Sequence, residues 1–188
     1  MWACYVVDME LVDCCRELAR YNSWMNRKLY QLCGTLSDEE RKRDVRAFFG
    51  SIHGTLNHLL LTDRVQLGRF IQSDRTRSID ALGNEITIRA LDQELYSEFD
   101  ELSRQREQTD ALIEQWTQEE LTPAFLERTL EYRAMSAPGV YSVPMWAAVI
   151  HFFNHQTHHR GQVTTLLSQL GHDIGVTDLM AMLRRPLQ

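Results

Sequence analysis

The chain has 188 residues and a mass of 22.0 kDa, with 44% hydrophobic and 24% charged side chains, a composition ordinary for a globular protein able to bury a core within one domain. A formal charge of -6 and a pI near 5.6 argue against general affinity for nucleic acid, whose phosphates demand a positive face. The longest nearly apolar run, residues 143–153, falls well short of the roughly 20 residues that a membrane-spanning helix needs.

The opening "MWACYVVDMELVDCC" lacks the basic head and small-residue cleavage site of a signal peptide, because Asp8, Glu10 and Asp13 interrupt its apolar stretch. A cytoplasmic location is the expectation. Residues 1–8 read as an extended start to a single domain covering 1–188. Cys4, Cys14, Cys15 and Cys33 show no CxxC spacing, so they are expected to be reduced thiols, with Cys14 and Cys15 as packing residues.

From Glu10 to Leu32 apolar residues recur at steps of three and four, the period of a helix, and Gly34 follows as its stop. Ser37 and Glu40 have the spacing of a capping box and predict a short polar helix. A second long helix is predicted from about Phe48 to Ile71, and residues 73–88 break into loop. A third is predicted from near Leu91 to about Trp116, with Leu95, Phe99, Leu102, Ala111, Leu112 and Trp116 inward among charges that form a solvated face. Residues 126–143 contain short alternating stretches around the Pro138-Gly139 turn signal, which predicts a β-like excursion. Pro144 suits the first position of a fourth long helix, ended by Gly171. The expected fold is therefore all-α, a four-helix bundle with an irregular excursion before the last long helix.

Four of the chain's seven histidines crowd into "HFFNHQTHHRGQ", residues 151–162. Residues four apart share one helix face, about 6 Å apart along the axis, and both His155/His159 and His151/His155 meet that spacing. Two stacked imidazoles supply two corners of a metal site, and a third must come from elsewhere. The second helix offers His53 and His58, five residues and so about 140° apart, of which only one can face a given partner. His58 lies in an apolar run and is expected to be interior, with His53, near the helix start, either at the rim or behind the ligands. Against this stands the fact that such pairs arise by chance and that most histidines are merely hydrogen-bonded.

"GSIHGTLNHLLLTDRV" (50–65) and "HFFNHQTHHRGQVTTLLSQLG" (151–171) resemble the DinB family of bacterial helical bundles, the DinB/YfiT-like metalloenzymes. "ARYNSWMNRKLY" (19–30) and "LEYRAMSAPGVYSVPMWAA" (130–148) resemble it too, so the similarity covers nearly the whole chain. The resemblance implies a four-helix bundle of unusual helix order, frequent homodimers, and a divalent ion, often zinc or nickel, on three histidines. Carried over by position, these are His58, His155 and His159. His151 then lies a turn beyond the site, where it shapes a pocket, and His158 points to another side. His172 falls on the surface. Within the same motif Arg160 is expected to pair with an acidic group, Gly161 to permit close packing of helices, and Gln162 to reach toward a water on the ion.

Three neutral histidines leave an open position on the ion, the arrangement of a catalytic site. Members of the wider superfamily are thiol-dependent transferases or isomerases that use small intracellular thiols. The leading expectation is thus a metal-dependent enzyme of the S-transferase or hydrolase type acting on a small molecule, with a small thiol as co-substrate. Tyr21, Asn22, Trp24, Tyr141 and Trp146 are candidate pocket walls. Asp63 and Glu131 are weak candidates for a general base, since Asp63 lies five residues from His58 and Glu131 in the irregular segment. The alternative is a non-catalytic, metal-binding stress-response bundle that acts through its dimer surface, without contact to nucleic acid or membrane.

Overall fold

A computed structural model describes residues 10–71, 78–79, 85–86, 88–134 and 138–184. Residues 1–8, Cys4 and most of the predicted loop at 73–88 lie outside the described residues. The elements are α1 (Leu11–Cys33), α2 (Asp38–Lys42), α3 (Ile52–Ile71), β1 (Ser78–Ile79), β2 (Glu85–Ile86), α4 (Phe99–Glu119), α5 (Pro123–Leu126), β3 (Thr129–Arg133), β4 (Val140–Pro144), α6 (Met145–Gln169) and α7 (Leu179–Leu183). The fold is mostly helical, with α1, α3, α4 and α6 forming a four-helix bundle. β3 and β4 form an antiparallel hairpin just before α6, with Tyr132 opposite Tyr141. No described helix is long and apolar enough to cross a membrane.

The bundle closes as a ring in which α1 packs on α4, α4 on α3, α3 on α6, and α6 back on α1. Helices consecutive in the chain are thus not always neighbours, and the α1-to-α3 passage crosses the bundle through α2 and the turn after it. The Ser37 capping box that starts α2 is formed as its spacing predicts.

Every long helix changes character halfway along. One apolar cluster gathers Ala19, Phe70, Trp116 and Phe152 at one end, and a second gathers Leu29, Leu56, Leu60, Leu102 and Val163 at the other. Between them each helix contributes buried polar residues: Asn22 and Asn26 from α1, Asp63 and Arg64 from α3, Arg106 and Asp110 from α4, Gln156 and Arg160 from α6. The charges of Arg106, Asp63 and Asp110 can be buried there because they are paired. Arg106 bridges Asp63 at 2.6 Å and Asp110 at 2.8 Å, and both Asn22 and Asn26 donate to Asp110 Oδ1 at 2.9 Å. Burial raises both carboxyls, Asp110 to about 6, against the pull of Arg106. The candidate site lies at this polar level.

Several boundaries differ from expectation, each for a physical reason. The second helix starts at Ile52 rather than Phe48, because residues 44–50 form a tight turn with Gly50 at φ +73°, leaving Phe48 exposed. The third starts at Phe99 rather than Leu91, because the preceding segment hydrogen-bonds through its backbone to α3. Asn57 Oδ1 accepts from the amides of Leu95 and Tyr96, while Asn57 Nδ2 and His53 Nε2 reach the Tyr96 carbonyl. Ala111 faces solvent and Ile113 takes the core position instead. Pro144 ends β4, and α6 begins one residue later.

Candidate metal centre

His58 stands in the middle of α3, and His155 and His159 stand one turn apart on α6, so the packing of α3 against α6 brings the three together. Each offers a ring nitrogen, and the three atoms lie within 4.8 Å of one another. His58 Nε2 and His155 Nε2 are 3.3 Å apart. That matches the separation of about 3.3 Å between two nitrogens bound to one tetrahedral ion with metal–nitrogen bonds of about 2.05 Å.

The outward nitrogens explain why the inward ones are free. His58 Nδ1 donates to the Leu91 carbonyl at 2.7 Å, and His159 Nδ1 donates to Gln162 Oε1 at 2.7 Å. His155 Nδ1 lies 3.5 Å from Thr62 Oγ1, whose own proton is directed to the His58 carbonyl at 2.8 Å. With each Nδ1 carrying the proton, each Nε2 presents a lone pair to the common centre. Three convergent lone pairs repel unless a cation lies between them, and the donor set therefore fits a divalent ion.

Burial keeps these imidazoles neutral. It lowers the pKa of His58 and His159, and for His155 burial together with the neighbouring histidines lowers it to about 3. Phe49 stacks on His58 with ring centroids 3.8 Å apart and meets His159 edge-on at 5.5 Å, which shields one side of the cluster. Its position depends on Gly54, where a Cβ would stand 2.2 Å from the Phe49 carbonyl oxygen.

The other side opens into a cavity of about 360 Å³ between α3, α6 and the hairpin. His58 and His155 line one end, His151 and Phe152 continue the α6 wall, and Leu130, Tyr132 and Val143 form the hairpin wall. His151 thus shapes the cavity. Gln162 holds His159 by its ring nitrogen, a more direct role than reaching to a water. Trp24 and Tyr141 are not among the lining residues: Trp24 packs beside Tyr21 on α1, and Tyr141 lies on β4 with its hydroxyl donating to the Pro138 carbonyl at 3.1 Å. Tyr21, Asn22 and Trp146 are likewise outside the lining, with Trp146 half exposed.

His53 is buried rather than at a rim, held by the Tyr96 carbonyl at 3.0 Å. His158 is exposed, and Gln162 Nε2 lies 3.4 Å from its ring. His172 lies past Gly171 and is half-buried. Arg160 is buried and donates to Asn22 Oδ1 and Thr157 Oγ1, so its immediate acceptors are neutral and not the carboxylate expected. Gly161 is exposed, and among the described residues nothing lies near its Cβ position and no helix approaches it. Asp63 borders the cavity, but its Oδ2 is held by Arg106. Sequence reasoning missed Phe49, Thr62 and Leu91. Thr62 could have been found from its place one turn past His58, whereas Leu91 contributes only a backbone oxygen and leaves no trace in residue type.

A family model described as the DinB family matches residues 9–185. The chain is similar to "Protein DinB" of Bacillus subtilis (strain 168), 25% identical over 162 residues, covering 86% of this chain and 89% of that one. No solved structure matches it. With nearly its whole length matched, and the helical bundle and three-histidine cluster in place, the chain belongs to the DinB family.

Proposed function

We propose that the protein holds a divalent ion, zinc or nickel, on His58, His155 and His159 and is a metal-dependent enzyme of the thiol S-transferase or hydrolase type. Its substrate is a small molecule, with a small thiol as co-substrate in the transferase case. The observation that carries this reading is the convergence of three imidazole nitrogens, those of His58 and His155 standing at one end of a largely apolar cavity. A divalent ion there supplies Lewis acidity that lowers the pKa of water or of a thiol. The chain's own part is to fix the three imidazoles through Leu91, Thr62 and Gln162, to exclude water with Phe49, and to seat the substrate between α3, α6 and the hairpin. The proposed setting is the cytoplasm, as a homodimer.

Elemental analysis of the purified protein beside His58→Ala and His159→Ala tests the ligand set: wild type carries a stoichiometric ion and both variants lose it. Retention by both variants means the ion is elsewhere. A panel of thiols and small electrophiles with metal-loaded protein then tests catalysis, and turnover should vanish in His155→Ala. A second reading rests on the exposed Val140, Tyr141 and Trp146, which lie within seven residues around the start of α6. These would serve a non-catalytic stress-response bundle that acts through its dimer surface, and ion binding without turnover across the panel would favour it.

A further inference from the structure

The cavity has two differently built ends, and the three-histidine cluster occupies only one. Along α3 the lining continues from His58 through Thr62, Val65 and Gln66 to Arg69, a stripe with the spacing of one helix face. Arg69 lies eleven residues past His58, about 16 Å along the axis, so a ligand that meets both ends is elongated. The middle of the passage is walled by apolar groups from Val65, Leu130, Val143 and Phe152.

Arg69 is half-buried, and its guanidinium lies over the Tyr132 ring, 4.7 Å from the centroid. Its hydrogen bonds go to Gln66 Oε1 at 3.3 Å and the Arg133 carbonyl at 3.1 Å, both neutral, and among the described residues no carboxylate pairs with it. Arg106 of α4, in the polar layer, is by contrast paired with two carboxylates, and the buried Arg64 and Arg160, which hydrogen-bond neutral groups inside the bundle, do not line the cavity. A partly desolvated cation with only neutral partners is costly unless an anion meets it, and the planar guanidinium suits a carboxylate. A plain helix-end arginine, favoured by the dipole of the last turn, would need neither the aromatic backing nor a place in a cavity wall.

We propose that the cavity binds an elongated amphipathic monoanion, with its reactive head at the three histidines, its apolar body between α3, α6 and the hairpin, and its carboxylate on Arg69. The head's placement rests on the metal reading above; the assignment of Arg69 does not. It makes Arg69 the residue that selects anionic substrates over neutral ones of the same shape.

Calorimetric titration at pH 7.5 tests this in two arms. On metal-free protein, octanoate and 1-octanol share a tail and differ in charge. Octanoate is expected to bind about tenfold tighter, equivalent to about 1.4 kcal/mol. Arg69→Gln should remove that advantage, and Arg69→Lys restore part of it. Equal binding of the two by wild type overturns the proposal, as does an advantage that survives Arg69→Gln. Should Arg69→Gln not fold, the wild-type comparison still decides.

On zinc-loaded protein, 11-mercaptoundecanoate should bind more tightly than 11-mercapto-1-undecanol, and its gain over undecanoate should vanish in His58→Ala. Protein that takes up no ion yet prefers octanoate to octanol overturns the metal reading and leaves the Arg69 site standing. Protein that binds zinc and thiols but shows no preference for the carboxylate overturns the Arg69 site alone.

Discussion

Gln162 Oε1 accepts the Nδ1 proton of His159 at 2.7 Å, from three residues further along the same helix. The contact fixes both the tautomer and the ring angle of His159, so that Nε2 faces the cluster. Partners of this kind are typically worth about 10- to 100-fold in metal affinity. Gln162→Leu is therefore expected to weaken ion binding within that range while His159 stays in place, and Gln162→Glu, which keeps an acceptor, to weaken it less. Competition against a chelator of known affinity measures both, and a leucine variant with unchanged affinity would show that His159 needs no such support.

Gly54 and Gly161 both lie inside helices, but their surroundings predict opposite outcomes on substitution by alanine. At Gly54 an added Cβ meets the Phe49 carbonyl at 2.2 Å, so the turn that seats Phe49 on His58 must move. Gly54→Ala is expected to destabilise by about 1–3 kcal/mol. At Gly161 no described residue outside its own helix backbone comes within 4 Å of that position. Gly161→Ala should gain up to about 1 kcal/mol from helix propensity. Thermal unfolding of the two variants checks the pair, and a marked loss at Gly161 would indicate that a second copy packs there.

The bundle was legible in the sequence because its signal is redundant: α1 and α6 each repeat the helical period over more than twenty residues. The histidine pair on α6 was legible for the same reason, since spacing alone fixes a shared face. The choice of His58 over His53 rested on the apolar run around His58 and on the family resemblance, and the geometry shows that burial alone does not separate them. Both are buried, and what separates them is which way α3 turns each, toward α6 or toward the 91–98 segment. The start of α4 was misread because that segment satisfies its backbone through Asn57 and the two histidines, contacts made at a sequence separation of about forty that no local pattern records. The polar layer was missed for another reason: Arg64, Arg106 and Asp110 look like surface charges until their partners on other helices are known.

Arg106 is the member of that layer with the most to lose. It is buried between Asp63 and Asp110 and joins α4 to α3. Arg106→Leu would leave two buried carboxyls without their cation, and breaking a buried pair in this way costs about 3–5 kcal/mol. The triple replacement of Arg106, Asp63 and Asp110 by apolar residues of similar size should recover much of that loss, because no uncompensated charge remains. Urea denaturation of the two proteins is the measurement, and a triple variant as unstable as Arg106→Leu would mean the layer contributes more than charge compensation.

The same burial gives the metal-free protein a defined response to acid. His53, His58 and His159 all have lowered pKa values through desolvation, and His155 is lowered to about 3, whereas in the unfolded chain each imidazole titrates near 6.5. Below about pH 6.5 the unfolded state therefore binds more protons than the native one, and stability falls as the pH falls. Asp63 and Asp110 act in the opposite sense, since their raised pKa values let the native state hold protons that the unfolded state has released. With Asp110 at about 6 its own part of that effect develops mainly below pH 6, and the expected direction from pH 7.5 to 6 is the one the four histidines give. Urea midpoints of metal-free protein are expected to drop over that interval. His53→Gln keeps a polar side chain but removes one of the four protons, and should flatten the slope by up to about 1.4 kcal/mol per pH unit. A midpoint that rises as the solution is acidified from pH 7.5 to 6 would mean that the carboxyls of the polar layer, and not the histidines, control the acid response.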